Sequence, residues 1–209
     1  MSSNKQNIVV IDYGMGNIGS VCNMFKHIGV SVTVSSDMKT IANAEKLVLP
    51  GVGHFDRAMD NINSLGIFNL IRDKSIIHKT PILGICLGMQ IMCESSEEGS
   101  LPGLSLIKGE IRKFKFADEL KLKIPHMGWD TIEINKKSDI LCNLDNNSRF
   151  YFVHSYFVSC ENSSDILTYT NYGDKFVSSF QVENIIGVQF HPEKSHKFGM
   201  NLFKNFIEL

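Results

Sequence analysis

The stretch with the most chemical content is Pro81-Ile82-Leu83-Gly84-Ile85-Cys86-Leu87-Gly88-Met89-Gln90. Residues 81–85 form a short apolar run, the pattern of a buried parallel strand. From Leu87 onward the residues suit a helix. Cys86 falls at the switch, with one glycine two residues before it and another two after. This is the cysteine form of G-x-S-x-G, a strand-to-helix elbow that holds a nucleophile at the tip of a sharp turn. Flanking glycines let the backbone pass closely without Cβ clashes. A helix N-terminus favours a thiolate through its N–H groups and dipole. A lone cysteine is more often a small buried apolar residue. Here the paired glycines and the change of pattern favour the nucleophile.

A nucleophilic cysteine needs a base, and the base needs an orienting acceptor. His191-Pro192-Glu193 can supply both, at the end of the strand-like run 185–190. Parallel-sheet enzymes build their sites at that edge. Taken singly, His191 reads as a packed histidine and Glu193 as a surface charge; beside an elbow cysteine they read as a catalytic pair. H-x-E also occurs in zinc deaminases, but the P-C-x-x-C partner is absent. Pro50-Gly51-Val52-Gly53 closes another strand-like run and can be a plain turn. It can also aim the Val52 N–H at an oxyanion, with the Leu87 N–H as second donor. Gln90, one helical turn beyond Cys86, faces the same side.

The elements that would position these groups alternate at first. Strands are expected at 7–12, 31–34, 46–49 and 81–85, with helices at 20–28 and 55–78, the second broken near Gly66. That alternation implies a parallel sheet with helices on both faces. After Gly99 short β-type runs dominate, at 111–116, 131–134, 149–158, 166–170, 175–182 and 185–190. The expected fold is therefore α/β: an open, mostly parallel sheet with helices on both faces, plus antiparallel additions. An amphipathic helix closes the chain over 197–209. No linker or repeat divides the sequence, so a single domain over 1–209 is expected.

Composition excludes several classes. The chain has 209 residues, 43% hydrophobic and 21% charged, with net charge −1. No basic stripe invites nucleic acid or an anionic membrane, and no run reaches the length of a membrane span. Residues 1–7 are polar and do not match a secretory leader. Five cysteines without a C-x-x-C argue against a disulfide framework or a cysteine metal site, and a cytoplasmic location fits best.

One rival motif has the right local context. Gly14-x-Gly16-x-x-Gly19 follows a strand, precedes a helix, and has Asp37 near the distance of a ribose-binding acid. A dinucleotide-dependent oxidoreductase is thus a second reading, although Asp37 lies beyond Ser35-Ser36 and no hydride-transfer site follows. Pro125-His126-Met127-Gly128-Trp129-Asp130 carries the only Trp, either core or interface anchor. The run 151–157 reads as a buried strand with His154 satisfied internally.

Taken in order, Asp12-Tyr13-Gly14-Met15-Gly16-Asn17, Pro50-Gly51-Val52-Gly53-His54-Phe55, Gly84 to Gln90, Pro125 to Trp129 and Gln189-Phe190-His191-Pro192-Glu193-Lys194-Ser195 resemble class I glutamine amidotransferases. Within that family they resemble most the glutaminase subunits of imidazole glycerol phosphate synthases, in histidine biosynthesis. The resemblance covers essentially the whole chain. It implies a Cys86–His191–Glu193 triad, oxyanion donors at Val52 and Leu87, and glutamine binding by Gly53, Gln90, Ser155 and Tyr156. It places Asn17, Trp129, Tyr151 and Lys194 near a docking face for a (β/α)8-barrel cyclase subunit, to which ammonia passes. It implies no metal and no organic cofactor. Lys194 next to Glu193 could stack on the Trp129 indole. Asp130 stands where the family usually has Asn, and Phe157 follows Tyr156 where many members differ. Both leave room for a paralogue feeding another acceptor, for instance in surface-sugar biosynthesis. A non-catalytic binding protein of the same fold is a third reading.

Overall fold

The computed structural model describes residues 6–117 and 121–209, so most of the polar start lies outside the described residues. Four parallel strands carry the first half of the chain: β1 (Ile8–Ile11), β2 (Thr33–Ser35), β3 (Lys46–Gly51) and β4 (Ile82–Cys86). β1 is flanked by β2 and β3, and β4 lies beyond β3. All four residues of β1 are buried, as expected for a parallel strand covered on both faces. Their side chains alternate. Val9 and Ile11 pack with Phe55, Met59 and Ile62 on one face. Ile8 and Val10 pack with Phe25, Phe203 and Phe206 on the other.

Those partners come from three helices: α1 (Ile18–His27) and α6 (His196–Glu208) cover one face, and α3 (Phe55–Ser64) the other. α3 stops before Gly66, as the sequence implies, and α4 (Phe68–Arg72) follows, running into a π turn over Asp73–Ile77. α5 (Leu87–Gln90) is a single turn, shorter than the apolar run after Cys86 suggests. A short α2 (Met38–Ala42) lies between β2 and β3, where no apolar periodicity marks a helix.

The second half extends the same sheet. β13 (Ile185–Val188) pairs parallel with β4, so the end of a late strand meets the end of an early one. Beyond it, antiparallel, come β12 (Asp174–Val182), β10 (Tyr156–Cys160) and β6 (Gly109–Lys113), with β5 (Ser95–Ser96) at the edge. β11 (Ile166–Tyr172) pairs with β12 and with β8 (Glu133–Ile134). The run 149–158, expected as one strand, is two. β9 (Arg149–His154) pairs with β7 (His126–Thr131) in a separate two-stranded sheet, and the chain crosses to β10 at Ser155. No helix among the described residues is long and apolar enough to cross a membrane.

α6 is fastened at its C-terminal end. The buried Lys46 ammonium donates to the Phe206 carbonyl at 3.1 Å and also to that of Ile207. A cation there meets carbonyls that have no partner within the helix. Asn205 Nδ2 donates to the Ile140 and Cys142 carbonyls at 2.9 and 2.7 Å.

Candidate active site

β4 ends at Cys86 and α5 begins at the next residue. Cys86 has φ 55° and ψ −112°, a backbone that non-glycine residues rarely adopt and that is typically found where function requires it. The turn lies hard against β3. A Cβ on Gly88 would sit 1.7 Å from the Leu49 carbonyl oxygen, so only glycine fits. The parallel register sets Gly51 opposite Cys86, which brings the end of β3 alongside the thiol. Cys86 is buried, with Gln189 Nε2 at 3.8 Å from its sulfur and the Val153 carbonyl at 4.0 Å.

His191 lies just past β13, which neighbours β4, so sheet pairing delivers it to the same edge. Its backbone is fixed twice. The His191 N–H donates to the Tyr151 carbonyl at 2.8 Å. The Ser195 hydroxyl donates to the His191 carbonyl at 2.6 Å and accepts from the Tyr151 N–H at 3.0 Å. The imidazole Nδ1 meets Glu193 Oε1 at 2.7 Å, with both side chains buried. A carboxylate only accepts, so Nδ1 carries a proton, and in the neutral ring Nε2 is left as the acceptor. Nε2 is buried and has no hydrogen bond of standard geometry. Burial lowers the His191 pKa, but the Cys86 sulfur and then the Glu193 carboxylate raise it by more, and the net direction is upward. Cys86 is thus close enough to act on the imidazole.

A cavity of about 270 Å³ opens over Cys86, lined by Val52, Gly53, Leu87, Gln90, Glu98, Ser155 and Tyr156 among others. The oxyanion and glutamine residues expected from sequence are thus brought together. Gln90 Nε2 donates to the Tyr156 carbonyl at 3.0 Å and to Gln189 Oε1 at 3.1 Å. A larger groove of about 400 Å³ beside Phe116 and Phe157 contains no cysteine or histidine, so size alone does not mark the site.

Four residues carry more than their place in the sequence suggests. Glu98 lies in a Ser-Ser-Glu-Glu-Gly run that looks like a solvated surface, yet it lines the cavity and accepts from the Phe55 N–H at 2.8 Å. Asp56 holds that loop by accepting from the Ser100 and Leu101 N–H groups, each at 3.0 Å, and these bonds lower its pKa. Ser195 and Gln189 stand within the motif around His191, but only the fold gives them partners.

A family model for class-I glutamine amidotransferases matches residues 9–209. The chain belongs to the class-I glutamine amidotransferases. Among curated amidotransferase relatives, "Imidazole glycerol phosphate synthase subunit HisH 2" of Methanococcus maripaludis is 51% identical, over 96% of this chain and 98% of that protein. The protein of the same name from Pseudomonas aeruginosa is 46% identical, over 97% and 99%. Among solved structures, a putative GMP synthase protein from Thermoplasma acidophilum superposes with TM-score 0.74 at 21% identity, over 99% of this chain and 94% of that one. That likeness carries the fold alone.

In this amidotransferase the glycine loop does not have the form of a nucleotide site. Asp37 is the N-cap of α2, accepting from the Thr40 N–H at 2.9 Å and its hydroxyl at 2.8 Å. A Cβ on Gly16 would stand 3.1 Å from the Pro50 carbonyl group, so that glycine serves close packing on β3. Asn17 caps α1, accepting from the Ser20 N–H at 3.3 Å. Trp129 and Met127 are exposed on β7. The expected stacking of Lys194 on Trp129 is not what the fold provides. Lys194 Nζ lies 5.4 Å from the Tyr151 ring centroid, whereas Trp129 stacks on His196 at 5.4 Å and meets Tyr151 edge-on. Tyr151 thus contacts both the lysine and the indole.

Proposed function

We propose that this chain, as one domain over 1–209, is the glutaminase subunit of a cytoplasmic imidazole glycerol phosphate synthase in histidine biosynthesis, with Cys86, His191 and Glu193 as its triad. The observation that carries the residue assignment is the 2.7 Å His191–Glu193 bond, which leaves Nε2 without a partner at the sheet edge that also holds Cys86. Names of relatives 51% and 46% identical over nearly the whole chain support the pathway.

His191 takes the Cys86 proton, and Glu193 stabilises the imidazolium and holds its tautomer. The thiolate attacks the side-chain amide of glutamine. The Val52 and Leu87 N–H groups receive the oxyanion, each contributing about 3 kcal/mol to the transition state. The imidazolium protonates the leaving nitrogen, and ammonia departs. Water, deprotonated by His191, hydrolyses the glutamyl thioester. Gly53, Gln90, Ser155 and Tyr156 hold the substrate, and the Glu98 carboxylate supplies the charge that suits its ammonium group. Protein groups carry every step. Asn17, Trp129, Tyr151 and Lys194 form the face that receives a barrel-shaped cyclase and passes ammonia to it.

A glutamine-analogue electrophile should label Cys86 and spare Cys22, Cys93, Cys142 and Cys160, and Cys86→Ala should abolish glutamate release without loss of fold. Mass-spectrometric labelling elsewhere, with Cys86 untouched, would end this reading.

A further inference from the structure

A chain of hydrogen bonds runs from the surface of the small sheet to the substrate cavity. Asp130 Oδ2 lies 2.7 Å from His126 Nε2. His126 Nδ1 lies 3.1 Å from His154 Nε2, and His154 Nδ1 lies 2.8 Å from the Tyr156 carbonyl. That carbonyl also accepts from Gln90. The two histidines face each other across the β7–β9 pair, and His154 immediately precedes the crossing into β10.

The protons of this chain can be counted. The Tyr156 carbonyl only accepts, so His154 Nδ1 carries hydrogen. His154 is fully buried, and burial lowers its pKa to about 3, so the ring is neutral and its Nε2 is bare. His126 Nδ1 must therefore donate to it. The remaining link joins His126 Nε2 to a carboxylate oxygen, two atoms that are both acceptors when His126 is neutral. Three links need three hydrogens. Two neutral imidazoles bring one each, so the third must reside between His126 and Asp130. Without it one link fails. Either Asp130 and His126 repel, or His126 turns its hydrogen outward and loses His154, or both rings turn and the Tyr156 carbonyl loses its donor. An asparagine at 130 would bring its own N–H and complete the chain with no extra proton.

We propose that Asp130, His126 and His154 form a proton-loaded relay that fixes the Tyr156 carbonyl and, through it, Gln90. Its consequence for glutamine affinity rests on the glutaminase reading above. Asp130 and His126 are positioning residues, since they reach the cavity only through His154, which lines it, and the Tyr156 carbonyl. The surroundings of His126 leave few competitors for the proton. Its ring contacts those of Phe114, Phe152, Phe176 and Tyr172. The Tyr172 hydroxyl is committed to the Lys123 carbonyl. The titratable groups facing the relay are thus Asp130, Tyr172 and, beyond His154, His191. Burial lowers the His126 pKa and Asp130 raises it back in part. The proton is held at low pH and released as pH rises.

Nitrogen-15 NMR of the imidazoles in the full chain, titrated upward from pH 5, tests this directly. The expected wild-type result is His154 neutral with hydrogen on Nδ1, and His126 with hydrogen on Nδ1 and a shared hydrogen on Nε2. A single proton should then leave this pair as pH rises, with loss of one link. Asp130→Asn should remove the transition and leave both rings neutral with hydrogen on Nδ1. The KM for glutamine should rise about fivefold across the wild-type transition, the worth of one hydrogen bond, and stay flat over that range in Asp130→Asn, with kcat little affected by the substitution. A neutral His126 with hydrogen on Nε2 alone at pH 5, or the same transition in Asp130→Asn, overturns the relay. A transition that leaves KM unmoved overturns its coupling to the site. If no glutamine is hydrolysed at any pH the glutaminase reading fails, and the imidazole spectra still decide the relay.

Discussion

Cys86 and His191 reach the same point from neighbouring strands, and different forces hold them there. The cysteine arm is a backbone construction. β3 and β4 pair in register to their ends, and Gly88 leaves room for the Leu49 carbonyl where any side chain would collide. Nothing in that arm depends on one removable hydrogen bond. The histidine arm is a side-chain construction. β13 ends before His191, and the residue is then held by Tyr151, Ser195 and Glu193 through individual bonds of 2.6 to 3.0 Å. Apart from the thiol itself, the cysteine arm should therefore respond to substitution by losing fold, and the histidine arm by losing rate.

Glu193→Gln should give the largest effect. The amide can present a donor to Nδ1 and favour the wrong tautomer, so kcat should fall about 10³–10⁴-fold, with thermal unfolding changed little. A rate within tenfold of wild type would show that Glu193 is not the orienting acceptor. Gly88→Ala is the matching break in the cysteine arm. Moving the Leu49 strand aside should cost about 3 kcal/mol or more of stability, within the range of severe core substitutions. Denaturant unfolding measures it, and an unchanged midpoint would mean that the elbow can retreat from β3.

The third prediction concerns pH. His154 has its folded pKa lowered to about 3 by burial, against an ordinary value of 6.5. Its neutral form thus contributes stability that is fully present above pH 6.5 and lost as pH falls toward 3, by up to about 1.4 kcal/mol per pH unit. His154→Gln should flatten stability against pH over that window. An equally steep slope in the variant would place the titration elsewhere. Ser195→Ala should have the smallest effect. Two bonds that brace the His191 loop disappear, at about 1 kcal/mol each, and kcat should fall while glutamine KM holds. A fall in stability with no change in kcat would make Ser195 a structural bond only.

The sequence determined the parts whose physics is local. A strand must turn into a helix at Cys86 because an apolar run, two glycines and a helix-compatible segment follow one another within ten residues. The glycine-bounded end of β3 and the His191–Glu193 spacing were legible for the same reason, since each depends on neighbours in the chain. The tertiary structure decided everything that depends on which strands pair. It split residues 149–158 between two sheets at Ser155, because β9 finds β7 and β10 finds β6 and β12. It turned Glu98 from a charge in a polar run into the wall of the cavity, through a bond from the first N–H of α3. It gave Lys194 a tyrosine in place of a tryptophan, and Asp37 a helix to cap. It also joined Asp130 to Gln90 through two histidines that are 28 residues apart in sequence and face each other across β7 and β9. Such contacts are set by register and by burial, and neither is a property of any short stretch of residues.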